Sequence, residues 1–141
     1  MGYRAYMISL RGLGTAVVVT LAGVTAGVCV ARAEPPPPCG FTLSPPQLEQ
    51  VAGVPTVFAT VTPGVCVPPG AADLSVACLQ ALDGSSQLCN QGRGPDGARV
   101  DLGPVRPGVT YESTGRGVPT WLGQQAAPEW QVLGPIAATL S

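Results

Sequence analysis

The sequence predicts an all-β sandwich of about seven short strands, stapled by two disulfides. Three observations carry that expectation. Apolar and polar residues alternate with period two in several stretches, the pattern of a strand with one buried face. Gly- and Pro-rich turn signals separate those stretches at intervals too short for helices. Four cysteines, Cys39, Cys66, Cys78 and Cys89, fall in the part of the chain expected to be exported, an even number in a short segment.

Export is read from the first 33 residues. Arg4 and Arg11 give a positive start, Leu13 to Ala31 runs for 19 residues without a charge, and Ala31-Arg32-Ala33 supplies the small residues of a cleavage site. That order predicts a signal peptide over residues 1–33 and a periplasmic, wall-associated or secreted product. The alternative is a retained anchor, since such a stretch would make a helix of about 28 Å against a hydrocarbon core of about 30 Å. The cleavage site and the proline run after it favour removal. Lipoprotein processing is disfavoured, because the bulky Val28 precedes Cys29. A chain starting at Glu34 has 108 residues, with eight carboxylates against four arginines, a net charge of −4. It has no lysine and no histidine. Such a surface has no electrostatic footprint for nucleic acid or anionic lipid.

Residues 34–40 read as a proline-rich spacer, extended and hydrated; a PxxP-type ligand is the alternative. The folded domain is expected over residues 41–141. Phe41 to Ser44 starts it as a short strand. Ser44-Pro45-Pro46-Gln47 resembles a helix start, with Gly53 as its cap, but an edge strand tolerates the same prolines. The strand that follows favours the edge-strand reading: Val57, Ala59 and Val61 alternate with Thr56, Phe58, Thr60 and Thr62. Pro63-Gly64 and Pro68-Pro69-Gly70 mark a loop around Cys66. Leu74, Val76 and Cys78 then share one face of a strand.

Asp83-Gly84 is the favoured pair for a two-residue type I′ hairpin. Centred there, the hairpin sets Leu82 opposite Ser85, Gln80 opposite Gln87 and Cys78 opposite Cys89. The last pair is then within disulfide reach, which leaves Cys39 with Cys66. Zinc is disfavoured, since no C-x-x-C knuckle and no histidine are present. Asn90 to Gly97 reads as a loop, Arg99 to Leu102 as a short strand, Val109 to Thr114 as another, and Gly115 to Pro128 as irregular. Trp130, Val132, Ile136, Ala138 and Leu140 form one period-two face, with a bulge or edge position expected at Pro135.

Two segments carry a resemblance. Leu43-Ser-Pro, then Val51, Gly53 and Val57-Phe-Ala-Thr-Val61, is similar to the first two strands of bacterial immunoglobulin-like domains. Leu102-Gly-Pro-Val-Arg-Pro107-Gly108-Val-Thr-Tyr111 resembles the tyrosine corner of immunoglobulin and fibronectin type III sandwiches. The resemblance implies an immunoglobulin-like β-sandwich in which Gly108 turns the chain and the Tyr111 hydroxyl bonds back to the corner backbone. No cysteine lies near Tyr111, so the usual inter-sheet disulfide of antibody domains is not implied.

Catalysis is restricted by what is missing. Without histidine or lysine, the Ser/His/Asp, Cys/His and Ser/Lys systems are excluded from the exported part. A carboxylate pair at Asp96 and Asp101 is formally open, but Asp96 suits a turn and Asp101 a solvent-facing strand position. No cofactor or metal is expected, since the acids are too scattered for a calcium loop. Action by surface remains. Phe58 and Thr60 sit on the threonine face of their strand, as core if both faces are covered or as a partner-binding patch if not. Trp121 is expected in a loop, as a lid or an anchor, and Trp130 and Tyr111 as core. The expectation is a non-catalytic exported protein that binds a membrane or envelope protein complex. The alternative is a carbohydrate or cell-wall binding module using Trp121, Trp130 and the Gln124-Gln125 loop.

Overall fold

Eight strands form in the computed structural model: β1 (Phe41–Leu43), β2 (Gln47–Val51), β3 (Val54–Pro63), β4 (Gly70–Ala81), β5 (Leu88–Arg93), β6 (Ala98–Leu102), β7 (Thr110–Trp121) and β8 (Gln131–Thr139). The structure describes residues 36–123 and 129–141. The expected signal peptide, Glu34-Pro35 and Gln124-Gln125 lie outside the described residues.

All pairings are antiparallel, in two sheets. In the first, β3 carries β6 on one side and both β1 and β2 on the other, since Val57, Phe58 and Val61 each pair on both edges. β1 and β2 are therefore two parts of one lane, offset by a residue where Ser44-Pro45-Pro46 interrupts it. Proline cannot donate to a ladder, so the interruption falls on an edge. The second sheet has the order β5-β4-β7-β8. The result is a β-sandwich of three lanes over four, which gives the expected seven lanes.

The helix alternative for Ser44 to Gly53 is thereby excluded, and a hairpin replaces it. Val51 pairs with Val54, and both intervening residues take positive φ, Ala52 at 50° and Gly53 at 79°. Two positive-φ central residues are the condition for a type I′ turn. Glycine accepts this without cost, but a left-handed alanine is strained by roughly 1 kcal/mol. Replacing Ala52 by Gly or Asn is expected to stabilise the domain by about 0.5–1 kcal/mol, read as a higher urea midpoint at unchanged m-value. A lowered midpoint would contradict the turn assignment.

The Asp83-Gly84 hairpin differs from expectation in its turn and agrees in its register. Cys78 pairs with Cys89, but pairing with β5 stops at Leu79–Leu88. Neither Gln80–Gln87 nor Leu82–Ser85 forms. Gly84 takes positive φ (92°) and Asp83 does not, so the turn is not type I′. The Asp83 carboxylate is engaged elsewhere: it accepts from Ser85 N–H (3.2 Å) and Oγ–H (2.5 Å), and pairs with Arg106. The Ser85 hydroxyl first, then Arg106, lowers the Asp83 pKa to about 2. A lowered carboxylate favours folding above about pH 4, a contribution lost as pH falls toward 2, and small because the group is solvent-exposed.

The core lies between the inner faces of the two sheets, each of which alternates large and small residues. Val57, Ala59, Val61, Ala98 and Val100 are buried on one side, Ser75, Ala77, Leu79, Ala81 and Tyr111 on the other. Across the second sheet, Gly92, Ser75 and Gly117 stand in one row. A Cβ on Gly117 would run into the Phe41 ring, and one on Gly115 would lie 2.5 Å from Val61 Cγ2. The glycines of β7 are thus the slots that admit Phe41 and Val61 at core density. This is why β7 continues through Gly115 and Gly117, into the stretch expected to be irregular, and ends at Trp121. β5 likewise extends through Asn90–Arg93, where a loop was expected.

Two buried hydroxyls of this core behave oppositely. Ser113 Oγ donates to the Ser44 carbonyl at 2.8 Å, linking the sheets across the proline interruption. Ser75 Oγ, equally buried, has no hydrogen-bond partner among the described residues. A buried hydroxyl without a partner costs its desolvation, and a bonded one returns it. Ser75→Ala is expected to raise stability by about 1 kcal/mol and Ser113→Ala to lower it by about 1–2 kcal/mol. Denaturation curves with the same sign of change would show that one of the two hydroxyls is not partnered as described.

Candidate functional site

Both expected disulfides are present. Cys78–Cys89 joins opposed residues of β4 and β5, with a Cα–Cα distance of 4.0 Å. Cys39–Cys66 (Cα–Cα 4.4 Å) fastens the chain ahead of β1 to the β3–β4 loop. Around it, Val67 N–H donates to the Pro38 carbonyl at 2.9 Å and Gly64 N–H to the Gly40 carbonyl at 2.7 Å. Pro38 and Cys39 are buried, so the packed domain begins at Pro38 rather than at Phe41. At the opposite end, Arg106 N–H donates to Tyr111 Oη at 2.9 Å, and Gly108 turns with φ 76°.

The Phe58–Thr60 face is the outer surface of the first sheet. Phe58 is half-buried, and its cover is intramolecular: the Arg99 guanidinium lies 4.0 Å from the ring centroid. Arg99 in turn holds Asp101 (2.7 Å) and Glu49, one from each strand flanking β3. Asp101 and then Glu49 raise the pKa of Arg99, so the guanidinium over the ring stays charged. Thr60 lies opposite Arg99, and its N–H donates to Ser44 Oγ at 2.9 Å. On this face Phe58 and Thr60 thus engage neighbours of the same chain, Arg99 and Ser44.

The carboxylates considered for catalysis are separated in role. Asp101 is bound to Arg99, whereas Asp96 ends a 3-10 turn at Gly94–Asp96. No group of three or more metal-ligating side chains occurs among the described residues.

Trp121 does not lie in a loop. It ends β7, paired with Gly70 of β4, and belongs to the second sheet. It therefore shares no patch with Phe58 and Thr60. Trp130, expected in the core, is 41% exposed, and Val132 is 80% exposed. The cause is the bulge at Gly134-Pro135, where the pairing of β8 with β7 jumps from Leu133–Gly115 to Ile136–Ser113. A bulge inverts the facing of everything beyond it. Ile136 and Leu140 pack on the core beside Leu133, while Val132 turns outward.

The outer face of the second sheet holds what the alternation left hidden. A groove of about 410 Å3 runs over it, lined by the Cys78–Cys89 disulfide, Gln87, Thr114, Arg116, Val132 and Pro135. Gln87 Nε2 donates to Thr114 Oγ1 at 3.3 Å across its floor. Arg116 stacks on Trp130, 5.0 Å from the ring centroid. Among the described residues Arg116 makes no ion pair, unlike Arg93, Arg99 and Arg106.

No family model matches this chain, and neither a curated protein nor a solved structure does.

Proposed function

We propose that this chain is an exported, non-catalytic binding module that docks, as an accessory subunit, on a protein complex of the cell envelope. The observation that carries the reading is the groove on the β5-β4-β7-β8 face, with exposed Val132 and Trp130 beside an Arg116 that has no carboxylate partner among the described residues. Apolar area next to an aromatic ring and a guanidinium is the composition of a protein-binding centre. Two disulfides suit an oxidising compartment. The three-over-four sandwich and the Tyr111–Arg106 bond support the resemblance to immunoglobulin-like and fibronectin type III-like domains. That resemblance supports a scaffold, and the function rests on the groove.

The test is affinity purification of the tagged protein from its own envelope in mild detergent. Stoichiometric recovery of one complex, lost in Val132→Asp and retained in Phe58→Ala, is the expected result. Recovery of the protein alone would end the subunit reading.

The groove also favours a second reading. The Gln87 amide, the Thr114 hydroxyl and the Arg116 guanidinium line the groove, and the exposed Trp130 ring stacks with Arg116, a set suited to stacking on and hydrogen-bonding a sugar. Titration with wall polysaccharide would then quench tryptophan emission, and a flat titration would remove this reading.

A further inference from the structure

We propose that the end of the sandwich carrying Val65, Val67, Trp121 and Leu122 is a membrane-contact surface that seats in the headgroup region of a lipid bilayer. The β3–β4 loop and the end of β7 meet there. Leu122 N–H donates to the Pro69 carbonyl at 3.2 Å, and Gly70 pairs with Trp121. Val65 is 97% exposed, Leu122 66% and Val67 64%. These side chains protrude from loop tips, where a protein groove would need matching concavity and a bilayer interface needs none. No charged residue occurs from Pro63 to Ala72 or from Gly117 to Gly123. The charged groups at this end, the Arg93–Asp73 pair and Asp96, come from β4, β5 and the 3-10 turn rather than from these two loops, and the other end holds the Asp83–Arg106 pair.

The chain itself points to lipid as the occupant. It enters the domain at this end, where Pro38 is bonded to Val67. Upstream in sequence, only residues 32–38 separate that point from the uncharged stretch ending at Ala31. Seven residues reach at most about 25 Å. The chain thus joins that stretch to the domain at its apolar end, through a short connection. Trp130 precedes β8 at the same end, since Gln131 Nε2 donates to the Cys39 carbonyl at 2.7 Å. A tryptophan at this end suits the headgroup level, where the ring stays in the interface. The net charge gives no attraction to anionic lipid, so the drive is apolar burial.

The two tryptophans are the only ones in the chain, and they serve as reporters. The exported protein, in whichever processed form it is isolated, is combined with phosphatidylcholine vesicles with or without brominated acyl chains. Emission is expected to shift to the blue and to be quenched by the brominated lipid. Val65→Asp with Val67→Asp should abolish the quenching, since each apolar side chain returned to water weakens interfacial seating roughly tenfold. Leu82→Asp, at the opposite end, should leave it unchanged. All three side chains are exposed, so folding of the variants is checked by an unshifted thermal midpoint. Identical emission in the two vesicle types would overturn the proposal, whether the protein stays in solution or is held by an anchor. The loop tips would then belong to a protein partner or a second copy. Capture of a complex by the groove is a separate measurement, and either result can stand without the other.

Discussion

Removing the Cys39–Cys66 disulfide, as Cys39→Ala with Cys66→Ala, is expected to cost about 3.5 kcal/mol of stability, more than any exposed substitution named above. The cross-link closes a loop with a sequence separation of 27. In the chain-entropy account, that much closure restrains the unfolded chain by about 3.5 kcal/mol, against about 3 kcal/mol for the loop of separation 11 closed by Cys78–Cys89. The native side raises the contrast. Cys78 and Cys89 sit in strands that pair at five further positions besides their own, whereas Cys39 precedes a strand of three residues, β1, which among the described residues pairs with β3 alone. Phe41, the largest side chain set into the glycine slots of β7, follows two residues later. Loosening Cys39 therefore loosens Phe41. Urea unfolding of the two double variants gives the order directly. A loss below 1 kcal/mol for the Cys39–Cys66 variant would mean that the Pro38–Val67 and Gly40–Gly64 hydrogen bonds hold this segment unaided. Net stabilities of small domains are ~5–15 kcal/mol, so the predicted loss is a substantial fraction of the whole.

The pairing of those cysteines was legible because it depends on parity and distance along the chain. Any turn centred between Asp83 and Gly84 sets residue 78 against 89, whatever its own conformation. The turn type was not legible, because it is decided by Arg106, a residue from another loop that draws the Asp83 carboxylate away. The type I′ turn formed instead at Ala52-Gly53, where tertiary pairing of Val51 with Val54 outweighs the poor propensity of alanine. Val57, Ala59 and Val61 were legible as a buried face from their alternation alone. The extent of β7 was not: Gly115, Gly117 and Pro119 read as breakers, and only the Phe41 and Val61 side chains above them show why a strand needs glycine there. The same holds for the site. Phe58 was identifiable as off the core face, but nothing local places Arg99 over it. Val132 and Trp130 surfaced because the bulge changed the phase of β8, and a proline marks where a bulge can form without saying how many residues it absorbs.

Tyr111 is the position where local sequence and tertiary structure agree most closely, and its replacement by alanine is expected to cost about 4 kcal/mol. Its ring is 1% exposed and lies on the inner face at the corner where β7 begins. Deleting a fully buried aromatic ring typically costs 3–5 kcal/mol, through lost transfer free energy and the cavity left behind. Its hydroxyl acts separately. It accepts the N–H of Arg106, in the segment whose Val109 N–H closes on the Arg106 carbonyl (3.3 Å) and whose Gly108 N–H reaches the Leu140 carbonyl (2.9 Å). That segment also carries the Arg106 guanidinium to Asp83, so the hydroxyl fixes the corner that holds the β4–β5 turn. Tyr111→Phe keeps the ring and loses the acceptor, leaving a part-buried N–H unpaired, with an expected cost of about 1–2 kcal/mol. The split between the two variants is the informative quantity. A phenylalanine as costly as alanine would place the whole effect in the hydroxyl. A phenylalanine without cost would show that water serves Arg106 N–H equally well, and that the corner is held by packing alone. The intermediate result is the one this geometry requires, with amide exchange at Arg106 quickened in Tyr111→Phe while the β3–β6 ladder remains protected.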